Sequence, residues 1–443
     1  MFMRSKKGRR ASAVVSVVAA SSLILAACAA DVDDEPEEDP ATDVEPTEPD
    51  DDDVEEALPS GTLTFANWQW LEEGRGDALW DAVSAYEDHN PGATLEQEAT
   101  PFGDYADTLF TQMGAGVGPD VFISLDNQWI VLQDGGLLEP LDDAVADAPL
   151  NVTNDALNID GTQYGVTWEQ VSYGLLGNRN VMEAAGIDSM PTTVDELIEA
   201  GQQVQDNTDA DGFAVRHRIA EFAGWSADFQ NWAFGFEGAW SDGEQLTFAS
   251  DENVEAVTEF KRVYDSGIMP IGDDAATFRS KFQENNLGFI LDNSGAALSF
   301  ATAGAAITGQ DMVSAPVPFP EVGAHQKLIM AVNANSENTE LAKDFVRWFL
   351  TEEGQTLIRP PLGASTLATD VPLPDEFLEA QPWAETYVEI GPRSRSLLIP
   401  GFELVTMDLY QAIMEAVERV ITEDQDPRAA LEQAQEQAQQ LTP

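Results

Sequence analysis

The sequence predicts an α/β protein built from more than one domain, and three observations predict it. From Gly61 onward, short apolar runs alternate with longer stretches of helical spacing, the pattern of strands feeding helices. The chain beyond Ser60 is long enough for two or more domains of roughly 100–200 residues each. Hydrophobic residues make up 43% of the sequence, enough to fill real cores, and no short-period repeat is visible.

Taken in order, Gly61–Ala66 (GTLTFA) alternates and reads as an opening strand. Ala78, Leu79, Ala82, Val83 and Tyr86 follow helical spacing, and His89-Asn-Pro-Gly stops them. A second helix is expected over Phe102–Met113, closed by the glycines at 114, 116 and 118. Val121–Ile123 reads as a short buried strand. Ser250 caps a helix through Val254, Val257, Phe260 and Tyr264 that ends at Gly267. Leu287–Leu291 is another buried strand. Asn338 or Thr339 opens a helix carrying Leu341, Phe345, Trp348 and Phe349 that is expected to stop at Gly354. A helix over Val405–Ile421 and an Ala/Gln/Glu-rich helix close the chain.

The first 60 residues are of another kind. Arg4, Lys6, Lys7, Arg9 and Arg10 precede an apolar run from Ala11 to Ala27, the layout of an export signal and short for a membrane-spanning helix. Leu25-Ala-Ala-Cys28 resembles the bacterial lipobox, which implies cleavage before Cys28, the chain's single cysteine, and acylation of its thiol. Residues 1–27 are thus expected to be a lipoprotein signal peptide. The alternative is an uncleaved anchor with an incidental cysteine. Residues 28–60 carry 16 acids and no base. They hold too little apolar surface to offset ordering entropy and read as a lipid-anchored, disordered, self-repelling tether.

Of 80 acids and 21 bases, 64 acids and 16 bases fall at residue 61 or later, leaving −48 on the expected folded part. That sign argues against nucleic acid and anionic membrane surfaces as partners. It fits a solvated acidic surface, and adaptation to high salt is a further reading. A cationic ligand would also be steered in by such a field. Without a second cysteine the chain has neither disulfides nor thiolate zinc sites, which suits an extracytoplasmic location. No cofactor is expected.

Several motifs, in one order over most of the chain, carry a resemblance. Gly118-Pro-Asp-Val121 resembles a "GPDV" entry to a strand, and Gly161–Val166 (GTQYGV) resembles "GKxYGxP", with Thr167 where proline is usual. Leu175–Gly186 with Pro191–Leu197 resembles "YNKDLFEKAGL..P.TWDEL". Phe282–Ser294 resembles "F..GKAAMxxxGSW", Ala315–Pro318 "APLP", and Leu341–Leu357 "AxxFxxFLxSxEGQ". This order is similar to that of the extracellular solute-binding proteins of ABC importers, in the carbohydrate-binding group that includes maltose-binding protein.

The resemblance implies a two-lobe periplasmic-binding-protein fold of type II, with a hinge and a ligand cleft between the lobes. It places lobe one at residues 61–167 and 315–334, and lobe two at 168–314 and 335–443. It implies a monomer that captures a small molecule, a carbohydrate above all, and delivers it to ABC permease subunits in the membrane. Two departures stand out: Gly295 replaces the tryptophan of "GSW", and Gly177 the tyrosine of "YN". They leave open binding proteins of the same fold for a polyol, a glycerophosphodiester or a cationic compound.

A sugar site needs aromatic faces for C–H patches and carboxylates, amides or arginine for hydroxyls. By position in the resemblance the candidates are Trp68 and Trp70 after the first strand, Ser124, Asp126 and Asn127 after the second, and Trp168, Glu169 and Tyr173 at the first crossing. Glu221 and Trp225, Asp292 and Asn293, and Arg393 complete the set. Core packing is the competing reading for the tryptophans, and plain loop or surface for the rest.

Three rivals stand beside this reading, one of them a passive surface lipoprotein that meets only other proteins and needs neither hinge nor cleft. A secreted glycoside hydrolase would need paired carboxylates, which an acidic chain offers everywhere, but no H-E-x-x-H or G-x-S-x-G motif is present. Asn207–Gly212 (NTDADG) matches the start of a calcium loop, yet its twelfth position is Arg218 and not the bidentate glutamate. It reads as a polar turn, with a weak calcium site near Asp209 and Asp211 the lesser alternative, and no metal is expected.

Overall fold

The computed structural model describes residues 58–72, 74–301 and 304–440. The export signal, Cys28 and the acidic stretch to Glu56 lie outside the described residues.

Eleven strands are described: β1 (Gly61–Ala66), β2 (Ala93–Glu98), β3 (Val121–Leu125), β4 (Asn158–Ile159), β5 (Thr162–Gln163), β6 (Val166–Asn178), β7 (Asp211–Ala214), β8 (Leu287–Asn293), β9 (Met312–Ala315), β10 (Ala324–Val332) and β11 (Arg395–Ser396). Nine form a mixed sheet in the order β2-β1-β3-β10-β6-β8-β7, with β9 beside β6 and β11 beside β10. β4 and β5 form a separate small hairpin.

β6 organises the molecule. All 13 of its residues are buried, consistent with its near-continuous run of uncharged residues. Its first half pairs antiparallel with β10 from Val166↔Met330 to Ser172↔His325. Its second half pairs with β8 from Tyr173↔Asn293 to Gly177↔Phe289, and with β9 on the other edge. The pairing partner thus changes in the middle of one strand, and the core changes with it.

Val166 and Trp168 belong to a first core with Leu63, Phe65, Phe122, Ile123, Ile329 and Phe345. Leu175 belongs to a second core with Phe213, Trp225, Phe260 and Phe289, and Leu176 to a third with Ala214, Ile290 and Trp383. Neighbouring residues of β6, β7 and β8 divide between the second and third cores, so these two are opposite faces of one sheet segment. β10 makes the reverse passage, with Ala324 in the second core and Leu328–Val332 in the first.

The expected elements are present, with shifted ends. The first three α-helical segments are Gly76–Ser84, Tyr86–His89 and Phe102–Gly114. Ser250 does cap Asp251–Asp265, its side chain accepting from the Asn253 N–H. The helix expected to run to Gly354 ends sooner: Thr339–Phe349 stops, and Thr351 starts Glu352–Leu362 by accepting from the Gly354 N–H at 3.1 Å. A threonine cap inside a periodic run breaks the helix without breaking the hydrophobic pattern.

The expected division of the chain needs one correction. The resemblance places residues 335–443 together in lobe two, but Leu341, Phe345, Phe349, Ile358, Leu362 and Leu367 pack in the first core. Only the later part, including Trp383, Tyr387 and Leu409, packs with the second and third. The apolar face of Thr339–Phe349 lies against Phe65 and Tyr86, which are first-core residues. Gly177 also finds its reason here. A Cβ at that position would come within 2.7 Å of the sulfurs of Met182 and Met190, so the two thioethers occupy the space a tyrosine would need.

Candidate functional site

Strands β1 and β3 bring their carboxyl ends toward β6 from one side, and β7 and β8 bring theirs from the other. Ligands of open α/β sheets gather at such ends. Along β6, Glu169, Val171 and Tyr173 share one face because successive residues alternate, and they carry the candidate site.

Glu169 is 1% exposed. Gln69, from the turn after β1, donates its amide to Glu169 Oε1, and Ser365 Oγ donates to Oε2 at 2.9 Å. Gln69 is itself held, because its Oε1 accepts from Trp168 Nε1 at 2.7 Å and from Asn67 Nδ2 at 3.0 Å. Arg75 Nη2 stands 3.7 Å from Glu169 Oε1. Burial pushes the Glu169 carboxyl up, against the pull of Arg75 and of the Gln69 and Ser365 bonds. Burial likewise brings Arg359 down to about 10, with Glu169 opposing. Both oxygens of Glu169 are engaged, so it is a fixed acceptor and not a free base.

Arg75 also reaches the other side. A Cβ on Gly295 would lie 3.4 Å from Val171 Cγ1 and 3.8 Å from Arg75 Nη1. Gly295 is the second residue of the helix Ser294–Phe300, which follows β8. Arg75 Nη1 is buried with no hydrogen-bond partner, an expensive state for a guanidinium N–H. Where the resemblance has a stacking tryptophan, this chain has a glycine with a guanidinium beside it.

The strip continues through Tyr173 into a charged group. Arg216, two residues past β7, reaches both oxygens of Asp228, at 3.0 and 2.9 Å, and stands 3.9 Å from Glu221. Arg279 grips Asp292 with two parallel bonds of 2.8 and 2.9 Å, the strong bidentate form. Burial raises the Asp228 carboxyl, with Arg216 opposing, and burial likewise raises the Tyr173 phenol. Asn293 caps its helix by accepting from the Ala296 N–H at 2.9 Å.

The structure sorts the expected site residues. It brings together Glu169, Tyr173, Glu221, Asp292 and Asn293 along this strip. The tryptophans are core residues whose ring faces are covered. Trp68 and Trp70 lie in a 3-10 turn, and not along a strand, packing on Phe102 and Tyr105 and on Phe65, Trp80 and Trp168. Trp168 is 0% exposed and stacks on Phe349 at 5.5 Å, offering the site only its indole N–H. Trp225 is enclosed against Phe260. Arg393 is exposed and pairs with Glu389 at 3.2 Å.

Ser124, Asp126 and Asn127 stand at the end of β3, and Asp126 lines a cavity of about 270 Å³ with Lys327, Gln170 and Ser394. In the calcium-loop candidate, Asp209 is exposed and Asp211 pairs with Lys281 at 2.8 Å.

Gln69, Arg75, Arg216, Asp228, Arg279 and Ser365 were not expected. The one signal for the arginines was their scarcity, 16 bases after the first 28 residues.

The comparisons with known proteins agree with this architecture. The family model of the bacterial extracellular solute-binding proteins matches residues 70–356. The GacH receptor of Streptomyces glaucescens, solved unliganded and with acarbose, is 19% identical, with a TM-score of 0.74 over 86% of this chain and 98% of that one. Maltose-bound MalE3 of T. maritima gives 18% and 0.75, over 86% and 99%. UgpB of Mycobacterium tuberculosis, in complex with glycerophosphocholine, gives 18% and 0.71, over 86% and 98%. A curated binding protein of Brucella abortus is 25% identical over 203 residues, and the match spans 44% of this chain and 49% of that protein. The two-lobe fold of these solved structures is the fold described above, and by its family match the chain belongs to the bacterial extracellular solute-binding proteins.

Proposed function

We propose that this protein is the substrate-capturing component of an ABC importer. It is tethered outside the cell membrane by lipid on Cys28, acts as a monomer, and hands a sugar or oligosaccharide to a membrane permease without altering it. The observation that carries this reading is the strip on one face of β6. There Gln69, Arg75 and Ser365 on the first-core side and Ser294, Gly295 and Asn293 on the other side meet around Glu169 and Val171. A solute touching both sides would favour a closed arrangement by its contacts to each, which is the thermodynamic requirement for ligand-driven closure.

Fixed carboxylates and guanidinium groups in a dry setting suit hydroxyl-rich ligands, each donor or acceptor already oriented. The missing tryptophan at Gly295 favours a ligand held by hydrogen bonds more than by stacking. A glycerophosphodiester is the second reading, and the unpartnered Arg75 Nη1 favours it.

A thermal-shift screen of the protein with maltose, maltotriose, acarbose, D-mannitol and glycerophosphocholine tests the reading. A ligand at a hundredfold excess over its Kd stabilises by about 2.7 kcal/mol. The expected result is a shift with at least one saccharide, recovered chemically unchanged. A shift with glycerophosphocholine alone selects the second reading, and cleavage of the bound sugar overturns both.

A further inference from the structure

On the opposite face of β6 the structure holds a second polar chamber. Gln170 and Lys327 are register partners and alternate with Glu169 and Leu328, so they point away from the strip described above. With Asp126, Thr153, Asp155, His325, Ser394 and Ser396 they line the cavity of about 270 Å³. Asp126 is 6% and Lys327 7% exposed, while Val152, Asp155 and Ser396 in the same lining are open to solvent.

Two of its polar groups, and a serine behind them, are only partly used. Asp126 Oδ1 accepts from the Asn127 N–H at 2.9 Å, while Oδ2 is buried with no partner. Ser124 Oγ, one residue pair away on β3, is also buried and unpartnered. Lys327 donates to the Thr153 carbonyl, leaving two ammonium N–H groups. Asp126 and Lys327 attract each other, yet among the described residues no ion pair joins them. Two opposite charges therefore border one cavity without contact, each with hydrogen-bonding capacity to spare. A buried group left so is costly.

We propose that this cavity is a second binding site, for a small zwitterion of amino-acid size. Its ammonium meets the Asp126 carboxylate, with Asp155 adding negative charge, and its carboxylate meets the Lys327 ammonium. A neutral polyol would leave both charges uncompensated, and a simple ion would satisfy only one of them. The site is independent of the sugar reading, since it uses the other face of β6 and none of the residues around Glu169.

The test is calorimetric titration of the full chain with glycine, L-alanine, β-alanine and glycine betaine, with ethylammonium, propionate and glycerol in parallel. The expected result is saturable binding of at least one zwitterion and at least tenfold weaker binding of the two half-ligands and of glycerol. Asp126→Asn and Lys327→Met should each weaken the zwitterion at least tenfold, whereas Glu169→Gln should leave it unchanged. If one variant fails to fold, the other decides. No binding by any zwitterion, or binding lost in Glu169→Gln and kept in Lys327→Met, overturns the proposal.

Discussion

Asp126 shows how a single carboxyl can report its surroundings. Burial lifts it to about 6, opposed by the N–H of Asn127 and by Lys327, while an unfolded Asp titrates near 4. The groups that face it are Lys327, Asp155 and His325 across the cavity and Tyr410. Since the folded state holds this proton more tightly than the unfolded state, Asp126 favours folding most below pH 4. That advantage is lost as pH rises to about 6. In Asp126→Asn the stability gap relative to wild type should therefore move in the variant's favour by on the order of 2–3 kcal/mol between pH 4 and 7. Urea titrations at several pH values measure it, and a gap that does not change with pH contradicts the assignment.

Glu169 and Trp168 divide two roles that adjacency in sequence conceals. Glu169→Gln keeps an acceptor oxygen but loses the charge facing Arg75, so saccharide affinity should fall about tenfold with little change in melting temperature. Trp168→Ala empties a fully enclosed site and should cost about 3–5 kcal/mol of stability, seen first as a lower melting temperature. The sequence marked both residues, yet it treated the indole as a stacking face. Aromatic rings serve cores and sugar sites alike, and only the covering by Phe349, Phe65 and Trp70 distinguishes them.

Among the elements, β6 is the one whose details matter most. At Gly174 a Cβ would approach Tyr387 Cζ to 3.1 Å and the Ala315 carbonyl to 3.2 Å. Gly174→Ala should thus cost about 1–3 kcal/mol by overpacking, and calorimetric unfolding would show it. An unchanged melting temperature would mean that Tyr387 moves aside freely. Most elements were legible because their periodicity is strong: Gly61–Ala66 and Asp251–Asp265 begin where alternation and a serine cap place them. The break after Phe349 was not, since Thr351 caps a new helix within an uninterrupted apolar rhythm. The membership of Leu341–Leu367 in the first core was hidden for a different reason. Amphipathicity says that a face is buried, not against which sheet.

For the whole molecule, the charge was plain from composition and its use was not. With −48 beyond residue 60, raising salt from low to molar should raise the melting temperature by screening self-repulsion. A flat response would show the acids already well dispersed. Of the scarce bases that matter most, Arg75, Arg216 and Lys327 are gathered into the interior, and the half-buried Arg279 reaches in to the buried Asp292. That gathering is a tertiary fact, invisible to a count. At the other end of the chain, Cys28→Ser should abolish fatty-acid labelling, and unchanged incorporation would remove the lipid tether.

The central claim is that two bodies of packing joined through β6 and β10 close on a solute held at Glu169. Small-angle X-ray scattering, with and without a saturating saccharide from the thermal screen, tests it most directly. The account predicts a smaller radius of gyration on binding, with the change absent at the same sugar concentration in an Arg75→Ala variant that has lost affinity. A saccharide that binds tightly and leaves the radius of gyration unchanged would contradict it.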